Sequence, residues 1–227
     1  MDNRPDSVGE RDWLDWHRLY DDAGSSLSWR LRVVRDEICA ALNRCPAGRI
    51  QVVSICAGQG HDLIGSVAAH PRREDVNARL VELDPRNTQA GSQMAAASNL
   101  ERFEFVTADA STTDVYTGAV PAQVVLVCGL FGNIADDDIS TTISALPSLA
   151  APDGTVIWTR HRHDPDLTQS IRHRFREAGF DELAFHRMSA GYQSVGVHQL
   201  SGPSRPLRSG LRLFSFVGYD TLLGGRA

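Results

Sequence analysis

The chain of 227 residues contains no lysine; all 23 of its basic residues are arginine. Coding bias in a GC-rich genome accounts for that without a functional cause. Against 28 acidic residues the net charge is −5. That balance argues against a general nucleic-acid binder, which needs a basic footprint. No apolar run approaches the ~20 residues that cross a bilayer, and no basic-then-apolar signal segment opens the sequence. A cytoplasmic protein with no membrane association is therefore expected. Cysteine is scarce: Cys39, Cys45, Cys56 and Cys128 form no Cys-x-x-Cys pair. Their spacing gives no zinc or disulfide framework, and small buried thiols in a reducing compartment fit them better. No metal site is expected.

What is present is an ordinary globular composition, 42% hydrophobic and 22% charged. The length supports one substantial core and is short for two domains of ordinary size. Arg11 to Asp22 sets Trp13, Trp16, His17 and Tyr20 at helical spacing on one face. That face either packs on the body of the domain or forms a lid in which His17 or Tyr20 meets a ligand. After a break at Gly24 to Ser28, a second amphipathic helix is marked by Leu27, Leu31, Val34, Ile38 and Leu42. Residues 1–48 thus read as an N-terminal helical lid or appendage, and residues 49–227 as one α/β domain.

From Ile50 onward, strands near 50–55, 79–83, 103–107, 123–128 and 154–159 alternate with helices near 60–69, 86–98, 136–147 and 166–178. Alternation of this kind specifies a mostly parallel sheet with helices on both faces. The end of the chain differs. Residues 181–188 and Leu211 to Val217 read as a sixth and a seventh strand without a helix between them, so they must pair as a hairpin and one must run antiparallel. The expected fold is α/β, a Rossmann-like seven-stranded sheet, mostly parallel with one antiparallel C-terminal strand.

The most informative stretch is Val52-Val-Ser-Ile-Cys-Ala-Gly-Gln-Gly-His-Asp62, an apolar strand running through a glycine turn into a helix. Gly58 and Gly60 lack the Cβ that would keep a ligand away from the backbone. A second strand ends at Glu82, 22 positions after Gly60, close to the spacing of about 20 at which a carboxylate meets ribose hydroxyls in nucleotide-binding βαβ units. Where a third glycine would mark a dinucleotide binder the chain has Leu63, which counts against NAD or FAD.

Four segments in this order, Ser54-Ile-Cys-Ala-Gly-Gln-Gly60, Val81-Glu-Leu-Asp-Pro85, Val106-Thr-Ala-Asp-Ala110 and Val125-Leu-Val-Cys-Gly-Leu-Phe-Gly-Asn133, resemble a class I S-adenosylmethionine-dependent methyltransferase over roughly residues 50–217. The chain is similar in particular to bacterial methyltransferases with an N-terminal Trp-His aromatic helix. The resemblance implies S-adenosyl-L-methionine as cofactor and a small-molecule acceptor. It also implies that Ala57, Gly58 and Gly60 line the methionine and ribose, and that Glu82 takes the ribose hydroxyls. Leu83 would lie against the adenine, Asp109 and Ala110 would meet its amine and ring nitrogen, and Gly129 would sit beneath the methionine. The chain departs from the family at Ser54, where an acid is usual, and at Cys56, where the first glycine is usual. Asp62 is the candidate to recognise the cofactor's amino group instead.

Methyl transfer needs alignment above all, and a general base only for a weakly acidic acceptor. Asn133 after the fourth strand and Arg160 and His161 after the fifth are the catalytic candidates, with His17 from the N-terminal face; Tyr192 and His198 are weaker ones. The arginine-rich run Arg160 to Asp164 suggests an anionic acceptor. An NAD-dependent oxidoreductase and a non-catalytic cofactor-binding protein are the alternatives. The oligomeric state stays open, a homodimer included.

Overall fold

The structure is a computed structural model and describes residues 25–218. The expected aromatic face of Trp13, Trp16, His17 and Tyr20 lies outside the described residues. Seven strands, β1 (Ile50–Ile55), β2 (Val76–Glu82), β3 (Phe103–Thr107), β4 (Ala122–Val127), β5 (Ala150–His161), β6 (Phe180–Arg187) and β7 (Gln193–Leu200), form one sheet in the order β3-β2-β1-β4-β5-β7-β6. The first five pair in parallel, whereas β7 pairs antiparallel with both β5 and β6. β7 is therefore the single reversed strand in a mostly parallel sheet, the architecture expected from the sequence. The helices are α1 (Ser26–Arg44), α2 (His61–Val67), α3 (Pro85–Ala97), α4 (Asp136–Ala145) and α5 (Thr168–Glu177).

Both faces of the sheet are covered, which is why β1 and β4 carry apolar residues on both faces rather than in alternation. Val53, Ile55, Val125 and Val127 point to one core, with Ile139 and Ile143 of α4 and Phe175 of α5. Val52, Leu80, Val124 and Leu126 point to the other, with Ile38 and Leu42 of α1 and Leu63 of α2. α1 begins at Ser25, whose hydroxyl accepts from the Ser28 N–H at 3.0 Å. At its far end the Arg72 guanidinium donates to the carbonyls of Leu42, Cys45, Pro46 and Gly48 at 2.6–3.2 Å, satisfying groups a helix end leaves without partners.

One strand assignment requires correction. Leu211 to Val217, read as the seventh strand, lies outside the sheet, and its place is taken by Gln193–Leu200. The true strand carries Gly196, a residue that weakens strand preference. A Cβ at Gly196 would stand 2.2 Å from the Trp158 indole, so the glycine is needed to admit that ring. Leu211 to Val217 instead forms a strap, residues 209–218, that makes isolated bridges, Thr112 with Arg212 and Ile134 with Phe216. Its apolar residues Leu213 and Phe214 are buried beside the loops after β3 and β4 rather than in a ladder.

Candidate active site

The carboxyl ends of β1 to β5 share one edge, and the strand order reverses between β1 and β4. Open α/β sheets bind ligands in such a crevice. The loop leaving β1 is left-handed at Cys56 (φ 52°), Gly58 (φ 55°) and Gly60 (φ 71°). Cys56 thus adopts the backbone conformation that glycine adopts freely, at a cost for a side-chain-bearing residue of roughly 1–2 kcal/mol. Gly60 is confined from outside as well, because a Cβ there would lie 2.7 Å from Leu80 Cδ2 and 3.2 Å from the Phe105 ring. Ser54 is buried within β1.

Glu82 ties this loop to the end of β2. Its Oε2 accepts from the Gly58 N–H at 2.9 Å and its Oε1 from the Asp84 N–H at 3.0 Å. The Ala57 N–H donates to the Val81 carbonyl at 2.9 Å, so two rungs hold the glycine turn against β2. Each Glu82 oxygen holds one backbone donor and, with two lone-pair sites, can accept a second. Next to it Leu83 is 69% exposed, an apolar side chain turned outward at the rim. Burial pushes the Cys56 thiol up, and the carboxylates of Glu82 and Asp109 push it further.

Asp109 follows β3. Its Oδ1 accepts from the Ser111 N–H at 2.9 Å and its Oδ2 from Arg212 at 3.3 Å. Partial burial works against the charge, yet the hydrogen bonds from Ser111 and the Arg212 guanidinium hold the carboxyl below the usual carboxylate range. Ala110 is buried, and its carbonyl accepts from the Tyr116 hydroxyl at 2.6 Å. Asp62, in the first turn of α2, accepts from the Leu63 N–H at 2.8 Å. Burial raises its carboxyl against the opposing pull of that amide and of Arg30 and Arg35.

After β4 the chain turns at Gly129 (φ 79°), whose N–H donates to Thr159 Oγ1 at 2.8 Å and whose carbonyl accepts from Asn133 Nδ2 at 2.6 Å. The Asn133 amide therefore closes its own turn. Arg160 is buried, and its guanidinium donates to the Phe131 carbonyl. Arg162 donates to the carbonyls of Met188 and Gly191 at 3.0 and 2.7 Å. These guanidiniums brace backbone, so the observation that suggested an anionic acceptor no longer supports one.

His161 lies over Gly132: a Cβ added to that glycine would stand 3.3 Å from the imidazole Cδ2 and 3.6 Å from Nε2. Its Nδ1 faces the His163 N–H at 3.3 Å, which selects the tautomer protonated at Nε2. The His161 and His163 rings are 5.1 Å apart, and His163 lies 4.0 Å from the ring of Tyr192, which is 56% exposed. His198 has a different place. It is fully buried, stacked 4.3 Å from Phe175, with Nδ1 accepting from Trp158 Nε1 at 3.1 Å. Burial pushes its pKa down to about 4. Its setting is structural. His17 lies outside the described residues.

Two features escape sequence reasoning. Gln59 joins Asn87 at 3.2 Å and His61 at 3.0 Å, buttressing the glycine turn from α3. Arg212 reaches Asp109 across 103 positions of sequence, from a segment whose pattern reads as strand. No local signal links the two.

The family described as "Putative methyltransferase" matches residues 26–177. No curated protein sequence matches the chain. Among solved structures, the chain is similar to an O-methyltransferase family protein from Burkholderia thailandensis, with a TM-score of 0.65 and 18% identity over 84% of this chain and 61% of that one. It thus spans less than two thirds of that protein's length. A second is 1,6-didemethyltoxoflavin-N1-methyltransferase from Burkholderia thailandensis with bound 1,6-didemethyltoxoflavin and S-adenosylhomocysteine, with a TM-score of 0.62 and 16% identity over 84% of each chain. A third is magnesium protoporphyrin IX methyltransferase from Synechocystis PCC 6803 with bound S-adenosylmethionine, with a TM-score of 0.61 and 14% identity over 86% of this chain and 99% of that one.

Proposed function

The chain belongs to this methyltransferase family, and from that premise we propose that it transfers the methyl group of S-adenosylmethionine to a small-molecule acceptor over the ends of β4 and β5. The observation that carries the reading is the corner formed by Gly58 and Glu82. There a glycine turn that admits a ligand meets a carboxylate with acceptor capacity on both oxygens, matched to the cis-diol of a ribose. Leu83, exposed beside it, offers an apolar surface to the adenine ring, and Asp109 offers an acceptor to its amine. The residues present fit the group. An NAD-dependent oxidoreductase is disfavoured by the family and by Leu63, fully buried where a dinucleotide binder has its third glycine.

S-adenosylmethionine, when bound, supplies a methyl group already activated on a sulfonium. The protein's work is to orient and to exclude water. Gly129 and Asn133 fix the turn after β4, and Thr159 locks it to β5. Arg160 acts as a positioning residue through the Phe131 carbonyl. His161, protonated on Nε2, serves as a hydrogen-bond donor that orients the acceptor; taking a proton at Nε2 would require the other tautomer and forfeit the bond to the His163 N–H. A small-molecule acceptor agrees with the compounds named for two of the structural neighbours.

Calorimetric titration of the full chain tests the reading. Binding of S-adenosylmethionine and S-adenosylhomocysteine without binding of NAD is expected. Binding of NAD alone would overturn it.

A further inference from the structure

The strap at 209–218 is the part of the site that neither the glycine turn nor the strand ends explain. It is fastened along its length. Gly210 N–H donates to the Asp114 carboxylate at 3.1–3.2 Å, and Leu213 N–H to the Ser111 carbonyl at 2.7 Å. Ser215 N–H donates to Asp138 Oδ2 at 2.8 Å, and Val217 N–H to the Asn133 carbonyl at 2.9 Å. It therefore runs from the turn after β3 to the turn after β4, joining the wall assigned to adenine with the wall assigned to the acceptor. Buried Leu213 and Phe214 anchor the middle.

At the adenine end the strap delivers Arg212. Its Nη2 donates to Asp109 Oδ2 at 3.3 Å and its Nη1 to Ser111 Oγ at 2.9 Å, while the Ser111 N–H holds Asp109 Oδ1 at 2.9 Å. Arginine and the Ser111 turn thus close a ring around one carboxylate and fix its plane, a planar fork being suited to this. The ring does not exhaust the acceptor: the two carboxylate oxygens offer about four lone-pair sites, more than Ser111 and Arg212 occupy. The Asp109 side chain is 47% exposed, so a ligand amine can still reach it.

Resting on the proposed function, we infer that Arg212 is a positioning residue for recognition of the cofactor's adenine. It holds the Asp109 carboxylate in the orientation that accepts the exocyclic amine. It favours adenine over a purine with a carbonyl at that position, because a carbonyl facing a fixed carboxylate leaves two acceptors opposed. Arg212 itself does not touch the reacting atoms.

The test compares S-adenosylhomocysteine with S-inosylhomocysteine, whose purine carries a carbonyl in place of the amine, by calorimetry on the full chain. The wild type should bind the adenosine compound more tightly. Because the Arg212 side chain is 59% exposed, its replacement should leave the fold intact, and the thermal transition of Arg212→Gln should match that of the wild type. Its preference for the adenosine compound should fall by up to about fivefold, the size an exposed ion pair allows. Arg212→Lys should restore part of it. A purely structural strap would instead weaken both ligands equally, and that result, or an undiminished preference in Arg212→Gln, would overturn the inference. Stronger binding of the adenosine compound by Arg212→Gln would overturn it too, showing that arginine competes with adenine. A wild type that binds both compounds equally removes the Asp109 assignment along with it, whereas failure to bind either one points to the proposed function itself.

Discussion

The two sides of the crevice are built by different means. At the ends of β1 and β2, backbone geometry does the work: left-handed turns at Cys56, Gly58 and Gly60, and a carboxylate that accepts amides from its neighbouring loops. On the β4 to β5 side, long-range packing does it. Trp158 stacks on Phe175 at 5.9 Å and 11°, touches Phe131 and Phe185, and donates to His198 on a strand of opposite direction. On the first side an exposed residue such as Leu83 can be changed with its effect expected in ligand binding. The second shares its aromatic core with the fold, so disturbing it registers in stability before it registers in binding.

The largest effect should come from Glu82→Ala. It removes both oxygens proposed for the ribose, together with the acceptors of the Gly58 and Asp84 amides, and hydrogen bonds to a charged group contribute about 1.5–3 kcal/mol each. The Kd for S-adenosylhomocysteine should rise about a hundredfold or more by calorimetry, and an unchanged Kd would remove the ribose assignment. It is the sharpest break available on the first side.

On the second side, pH provides the next test. The His198 pKa falls from 6.5 to about 4 on folding, first because burial penalises the charged ring. A second proton would go to Nδ1, where Trp158 already donates. The unfolded chain therefore binds more protons in this window. The stabilisation is fully present above about pH 6.5 and is lost as pH falls toward 4, by up to about 3 kcal/mol. Thermal melts of wild type and His198→Gln between pH 7 and pH 4 should show the variant with the flatter dependence; parallel curves would exclude His198 as the cause.

Gly196→Ala should cost about 1–3 kcal/mol by overpacking the Trp158 indole, seen as a lower midpoint in denaturant. Kd for the cofactor should hold. A matching loss of cofactor affinity would mean that the two sides are not separable in this way. The smallest effect is expected from His161→Gln. It should lower turnover about tenfold, as loss of an orienting donor can, with cofactor affinity unchanged. A turnover equal to wild type would remove His161 from the acceptor side.

The same contrast governs what could be read in advance. Glycines at 58 and 60, the acid at 82 and the acid at 109 are local signals, because a left-handed turn and a strand-end carboxylate leave a mark within a few residues. The sheet and its single reversed strand were legible from the alternation of apolar runs. The identity of that strand was not: Gln193 to Leu200 is buried on both faces and contains a glycine whose reason is a tryptophan 38 positions earlier. Arg160 likewise looks, in a row of arginines and histidines, like an anion ligand. Only the fold reveals that its guanidinium is buried against the Phe131 carbonyl. Contacts of this kind are invisible to periodicity, since nothing in the neighbouring residues requires them.

The position of the strap in the chain also orders the steps by which the site is made. The walls that it joins, after β3 and β4, leave the ribosome long before residues 209–218, and Arg212 meets Asp109 only after 103 further residues have been synthesised. Contacts so distant in sequence close late, because their loop entropy is recovered only once the intervening sheet exists. A nascent chain that has formed β1 to β5 can thus have its glycine turn and its Glu82 corner before it has the strap, and the fastening of residues 209–218 joins the walls after β3 and β4 last.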